Sequence, residues 1–347
     1  MAQRRVLFVR LGSLGDLVLT TAALRALREK DPEAEIHYLT DSALAPLLES
    51  DPDVSRVIAV PRRELDRRPG LYWRTVRRLR EGRYAASVDF QGKPKTALLT
   101  FLAGIPLRIG GTRWDTHRIR REPSRYAGAE AVAMLAPLGV KKGDGRPRLF
   151  VSEEAAQQAE RLLRSRFPRW EEGSVPLLGI FPGAGWAPRA WPPERFAAVA
   201  FRAVERWDAR VLLVGAAKEV ERLARIRAAL PADRYAVFQE PSLGLLAALV
   251  ARCDLFLSND TGPMHLAVAL GVPTVALFGP GEFVRFAPQF SPHRPIREPI
   301  ACSPCDQFRD HCRNNACMLL LSVERVWAEL EALFTLERHP RPVQVVR

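Results

Sequence analysis

The sequence predicts an α/β chain of two Rossmann-like domains with parallel sheets. Apolar strand-like runs alternate with helical patterns almost throughout. The alternation restarts midway along the chain, and each half opens with a glycine-bearing turn after its first strand, Leu11–Gly15 in one and Pro182–Gly185 in the other. The length of 347 residues suits two domains rather than one core. In the first half, Val6–Val9, Ile36–Leu39, Val57–Val60 and Ala85–Asp89 read as buried strands. Asp16–Arg28 is a helix on the spacing of Leu17, Leu24 and Leu27, and Leu44–Glu49 and Leu71–Arg80 are shorter helical segments. In the second half, strands are expected at Leu177–Phe181, Arg210–Val214, Tyr235–Val237, Leu255–Ser258 and Thr274–Phe278. Helices near Glu194–Arg206, Glu219–Ala229, Leu243–Val250 and Met264–Leu270 separate them. Pro168, Gly173 and Pro176 interrupt helix around the boundary. The domains are drawn at 1–170 and 171–325, followed by 326–347, an amphipathic helix and tail suited to crossing back to the first domain.

The chain is 47% hydrophobic and 26% charged, which excludes disorder, collagen-like repeats and a coiled coil. Its formal charge is +13, and residues 1–170 hold 32 Lys/Arg against 20 Asp/Glu, so the first half faces something anionic or carries a solvated basic surface. No basic stripe interleaved with aromatics accompanies the charge, so nucleic acid is not expected as a partner. The uncharged run Thr261–Gly281 contains Pro263, Pro273 and His265 and reads as helix, turn and strand rather than a membrane span. No secretory signal opens the chain, and a cytoplasmic protein is expected.

Four motifs carry candidate chemistry. Gly12-Ser13-Leu14-Gly15-Asp16 lies between strand and helix, at the carboxyl end of the sheet where open α/β folds bind ligands. Its glycine spacing fails the dinucleotide pattern, which disfavours NAD. Asp16 suits either a first-turn helix carboxylate or a general base. Pro182-Gly183-Ala184-Gly185 with Arg189 offers backbone N–H groups and a fixed cation to a phosphate, or is an ordinary strand–helix joint. In Ser258-Asn-Asp260-Thr261-Gly262-Pro-Met-His265 a buried strand ends at a helix start whose first N–H groups are unpaired, an anion site. Asp260 there is expected to hold sugar hydroxyls or the loop, and His265 is either a core histidine or a site residue. Cys302, Cys305, Cys312 and Cys317 cluster in a loop-like segment, compatible with a structural zinc or with reduced thiols packing the loop.

Together these motifs resemble glycosyltransferase family 9, the heptosyltransferases of the lipopolysaccharide inner core. The resemblance rests on Arg10–Asp16, Pro182-Gly-Ala184 with Arg189 and Trp191-Pro192, and Asn259–His265. Gly271–Pro280, Cys302-Ser-Pro-Cys305 and Cys317-Met318 extend it. It implies the two-domain GT-B fold, with the domains facing across a cleft and closing to assemble the site. The implied reaction is inversion, with ADP-L-glycero-D-manno-heptose as donor and a Kdo- or heptose-bearing lipid A core as acceptor. No metal cofactor is implied for catalysis. It casts Asp16 as base, with Gly12, Ser13 and Gly15 in the acceptor-side loop. Gly183, Ala184, Arg189, Glu219, Asp260, Thr261, Gly262 and His265 fall on the donor side, Arg189 standing where the family carries lysine. An anionic acceptor also gives the basic first half a purpose, including peripheral contact with the inner membrane.

Overall fold

The computed structural model describes residues 4–120, 122, 125–168, 175–305, 312, 314–336 and 345–346, and the chain divides between Phe150 and Val151 into two units. In the first, β1 (Arg5–Val9) leads through α1 (Leu14–Lys30) to β2 (Glu35–Asp41) and β3 (Arg56–Val60). Short α2 (Arg62–Leu65) and α3 (Pro69–Glu81) return the chain to β4 (Ala86–Asp89). Helix α4 (Pro94–Leu102), β5 (Leu107–Gly110), β6 (His117–Arg118) and α5 (Ala127–Ala133) complete this unit. The sheet order is β3-β2-β1-β4-β5-β6, parallel throughout, with Phe8 beside Tyr38 on one neighbour and Val88 on the other. Because β1 is buried on both faces it is a continuous apolar run, and its Leu7 and Val9 join Leu39, Ile58, Val76, Leu79 and Leu99 in one core cluster.

The second unit opens with β7 (Val151–Ser152) and α6 (Glu153–Arg166), then β8 (Leu177–Phe181), α7 (Pro193–Trp207), β9 (Arg210–Gly215), α8 (Val220–Arg227) and β10 (Tyr235–Gln239). It continues through α9 (Leu243–Ala251), β11 (Leu255–Asn259), α10 (Gly262–Ala269), β12 (Thr274–Phe278), α11 (Phe283–Phe286) and β13 (Arg294–Arg297). Helices α12 (Ala316–Leu319) and α13 (Val323–Leu336) follow. Its sheet repeats the first, β10-β9-β8-β11-β12-β13, again all parallel. In both sheets the chain leaves the first strand in one direction and returns on its other side, so each has a topological switch point, β1/β4 and β8/β11.

The nine strands expected from sequence form where expected, and three placements change. The division lies at 150/151 rather than 170, because α6 packs its Ala156, Ala159 and Leu163 face with α9 of the second unit. Part of the proline- and glycine-bearing stretch, 169–174, lies outside the described residues. The helix expected at Leu44–Glu49 is one 3-10 turn, Ala45–Leu47, since Pro46 removes a donor N–H in so short a segment. The last helix does not leave its unit. Val326, Trp327, Leu330 and Leu333 of α13 enter the second core beside Val199 and Leu277, and Trp327 stacks on Trp207 with ring centroids 4.5 Å apart.

That packing sets a stability test. Leu330 is fully buried, whereas Leu336, one and a half turns on, is 65% exposed. Leu330→Ala is expected to lower unfolding stability by about 2–5 kcal/mol in denaturant titrations, and Leu336→Ala to change it by less than about 0.5 kcal/mol. Equal, near-neutral effects would place α13 outside the core.

Candidate functional site

At the first switch point the end of β1 meets the end of β4. Arg10 follows β1 and is buried, which obliges its guanidinium to find acceptors. Its Nη1 donates to the Phe90 carbonyl at 2.5 Å, and its Nη2 lies 2.5 Å from Asp16 Oδ2. The Leu11 N–H donates to Gln91 Oε1 at 3.0 Å, so a second bond ties the two strand ends. Ser13 caps α1, and both its N–H and its hydroxyl donate to the same Asp16 Oδ2, at 3.2 and 3.0 Å. Three donors thus converge on one carboxylate oxygen, while Oδ1 bonds no described residue. The Asp16 side chain is 35% exposed. Burial pushes its pKa up, but the Arg10 cation and the two Ser13 donors outweigh that and hold the carboxyl below its usual range. Asp16 is therefore a first-turn helix carboxylate, as the sequence allowed, with one oxygen that bonds no described residue.

Gly12 has φ +139°, a backbone region side chains rarely adopt, and the Arg62 guanidinium lies 2.7 Å from where a Cβ would stand. Gly15 is buried at the start of α1. Arg62, exposed at the start of α2, makes no side-chain hydrogen bond or ion pair among the described residues, so an unpaired cation overlies the loop. Neither Arg10 nor Arg62 was singled out from sequence. The first was legible as an arginine ending an apolar strand, whereas the second needed the fold to bring the end of β3 beside that of β1.

The second switch point is built on Asn259, the last residue of β11. Its buried amide donates to the Pro182 and Gly183 carbonyls at 3.0 Å each, and its Oδ1 accepts from the Trp191 N–H at 3.0 Å. Asn259 thereby ties together both loops expected to meet a phosphate, a role that its place in the motif did not reveal. Gly183 must be glycine because its Cβ would lie 2.6 Å from the carboxylate of buried Glu219. Glu219 in turn accepts from the Ala216 N–H at 3.0 Å, and Lys218 donates to the Ala184 carbonyl at 2.9 Å. The expected donor loop and Glu219 are thus one assembly.

Arg189 Nη1 lies 3.0 Å from Asp260 Oδ2, with side-chain exposures of 22% and 4%. Asp260 thus pairs with Arg189, a contact that the sequence did not indicate. Burial pushes the Asp260 pKa up, Glu282 adds to the rise, and Arg189 opposes both. Arg189 Nε and Asp260 Oδ2 are buried without a hydrogen bond, so the pair retains unmet polar capacity. Gly281 closes over them, since any side chain there would strike Asp260. Beside them Thr261 starts α10 in an extended conformation, its hydroxyl 3.3 Å from that of Ser258. Pro263 has no N–H, which leaves Gly262 and Met264 as donors in the first turn, while the His265 N–H reaches Thr261 O at 3.4 Å. The His265 ring is buried one turn on, edge-on to Phe286.

The cysteine segment braces this loop. Ser303 Oγ donates to the Gly279 carbonyl at 2.7 Å, the Cys305 N–H donates to that of Pro280 at 3.0 Å, and Cys317 and Met318 fill the space beside Gly279. Burial, with the neighbouring Cys305, Cys312 and Cys302 thiols, pushes the Cys317 thiol up to about 11. Among the described residues no three His, Cys, Asp or Glu side chains are placed to hold one metal ion. Cys317 is buried, whereas Cys302 and Cys312 are exposed.

Comparison with known proteins meets this geometry. The family model for glycosyltransferase family 9 (heptosyltransferase) matches residues 72–316. Lipopolysaccharide heptosyltransferase 2 of Salmonella typhimurium is 29% identical over 303 residues, 83% of this chain and 85% of the relative. Lipopolysaccharide heptosyltransferase 1 of Pseudomonas aeruginosa is 32% identical over 288 residues, 80% and 79% of the two chains. The solved structure of E. coli ADP-heptose LPS heptosyltransferase II superposes with a TM-score of 0.78 at 25% identity, covering 96% of this chain and 100% of that one. The paired 3-2-1-4-5-6 sheets are those of the GT-B fold. A carboxylate held below its usual range at one switch point, a buried Arg189–Asp260 pair at the other, and these matches lead to one assignment: the chain belongs to glycosyltransferase family 9, the heptosyltransferases.

Proposed function

We propose that this enzyme moves heptose from ADP-L-glycero-D-manno-heptose onto the Kdo/heptose inner core of lipopolysaccharide, with inversion, on the cytoplasmic side of the inner membrane. The observation that carries the reading is the division of chemistry between the switch points. Transfer from a nucleotide sugar requires that an acceptor hydroxyl lose its proton and that a diphosphate leave. The first unit supplies a carboxylate with one oxygen unengaged, and the second an arginine beside unpaired N–H groups at a helix start.

Asp16 Oδ1 accepts the proton of the attacking hydroxyl. Its depressed pKa makes it a weak base at rest but keeps it ionised at neutral pH, and the hydroxyl becomes acidic as its oxygen bonds to the anomeric carbon. Three donors on Oδ2 fix which oxygen faces the acceptor. Arg62 offers a cation to the acceptor's carboxylates or phosphates. On the donor side, Arg189, Thr261 and the N–H groups of Gly262 and Met264 meet the negative charge that grows on the departing diphosphate. Gly183, Ala184 and Glu219 shape the nucleoside side of that loop, and His265 backs it. The two relatives and the solved structure, all heptosyltransferases by name, support both the sugar and the acceptor class.

The direct test offers ADP-heptose, alongside other nucleotide sugars, with a Kdo₂-lipid A acceptor. Heptose transfer supports the proposal, while turnover of a different donor alone overturns it. Asp16→Asn is expected to lower kcat by at least about 10²-fold with donor affinity retained. A loss of only two- to threefold would reduce Asp16 to a helix-start carboxylate.

Arg189→Ala is expected to weaken ADP binding by roughly 10- to 100-fold, the loss of a charge-assisted hydrogen bond, as read by calorimetry. Arg189→Lys, which keeps the cation against Asp260, is expected to be milder, and unchanged affinity in the alanine variant would remove Arg189 from the site.

The pH dependence follows from the sign of the Asp16 shift. Activity that needs the ionised carboxylate persists as pH falls until the folded pKa is reached, so the acid limb of kcat lies below the ordinary carboxylate range. Arg10→Met removes the chief downward influence and leaves burial opposed only by the Ser13 donors, so that limb moves to higher pH. An unmoved limb would assign it to another group.

A further inference from the structure

The segment joining β3 to β4 is a basic helical arm with an exposed aromatic face. Between Arg62 and Glu81 it carries eight arginines against Glu64, Asp66 and Glu81. Ion pairs engage Arg68 with Glu64 and Arg77 with Glu81, and Arg80 bonds the Leu102 carbonyl. The side chains of Arg67, Arg74 and Arg78 are exposed and make no hydrogen bond or ion pair among the described residues. Helix α3 buries Thr75, Val76 and Leu79, and its opposite face presents Arg74, Arg77 and Trp73, the last 59% exposed. On neighbouring α4, Phe101 is 44% exposed. An exposed tryptophan on the same short segment as three unpaired arginines is the composition of a surface that meets lipid headgroups: the indole settles at the interface and the cations face anionic phosphates. The charge of the whole first unit agrees, with 28 Lys/Arg against 17 Asp/Glu over residues 1–150. The arm also begins at Arg62, which overlies the Gly12 loop, so the same segment runs from the acceptor-side loop out to the exposed tryptophan.

We propose that the exposed side of α3, which carries Trp73, Arg74 and Arg78, together with Arg67 just before it, docks the first unit onto an anionic bilayer surface. The proposal rests on the reading of the acceptor as a lipid-anchored glycan and adds the surface that brings the enzyme to it.

Flotation with phosphatidylcholine vesicles, with and without phosphatidylglycerol, tests it on the full chain. Wild type is expected to bind the anionic vesicles and not the neutral ones, and to release in high salt. The triple variant Arg67→Gln, Arg74→Gln, Arg78→Gln is expected to bind at least about tenfold more weakly. The corresponding triple lysine variant should restore binding, and Trp73→Ala should weaken it without abolishing its salt dependence. Transfer to a soluble, deacylated Kdo acceptor should be unchanged in all of these variants. Binding within twofold of wild type in the glutamine variant, or equal binding of wild type to neutral vesicles, overturns the proposal. Vesicle binding is read without turnover, so failure of the heptose assay and failure of this docking are separately visible.

Discussion

Arg10 has lost most of its water, and a buried guanidinium is tolerated only where anions or carbonyls surround it. That requirement organises the first unit's site. The cation takes the Phe90 carbonyl just past β4 and the Asp16 carboxylate from α1, so the ends of β1, β4 and α1 converge on one side chain. The consequences for Asp16 are chemical as well as structural: its ionisation is held below the usual range, and one oxygen is occupied so that the other is presented. Ser13 reinforces both effects from the helix start. A carboxylate at the positive end of α1 gains further from the helix dipole.

The second unit solves a related problem with a neutral group. Asn259 stands at its switch point, where the same sheet order leaves strand ends diverging, and its amide closes the gap with three bonds of 3.0 Å. An amide suits this place because it both donates and accepts, as the Pro182 and Gly183 carbonyls and the Trp191 N–H require. The charged pair next to it, Arg189 and Asp260, is mostly buried yet incompletely hydrogen-bonded. Burial holds the Asp260 carboxyl above its usual range, with Arg189 opposing. The cysteine loop belongs to the same construction, since its contacts with Gly279 and Pro280 support the turn that covers this pair.

Strands such as Val6–Val9 and Leu255–Ser258 were legible in the sequence because continuous apolar runs ending in glycine or polar residues have few other uses. The donor loop was legible because a polar tail on a buried strand followed by Thr-Gly-Pro marks a helix start. Helix α4 escaped because it is short and buries Thr96 and Thr100 beside Ala97 and Leu99, which blurs the apolar stripe. Helix α6 escaped for a related reason: its buried face is largely alanine, a weak periodic signal among charged residues. The pairing of Arg10 with Asp16 was not legible, since five residues lie between them along the chain and only the strand-to-helix turn brings them together. Arg62 needed tertiary information outright. Sequence could name the carboxylate but not the arginines that govern and accompany it.

The claim that Arg10 acts through Asp16 is tested most directly by a double-mutant cycle on kcat, using Arg10→Met, Asp16→Asn and the two combined. The account predicts that Arg10→Met lowers turnover in the wild-type background and changes it by less than about twofold once Asp16 is asparagine. Losses that multiply in the double variant would contradict it, because Arg10 would then contribute to transfer by a route that does not pass through the carboxylate.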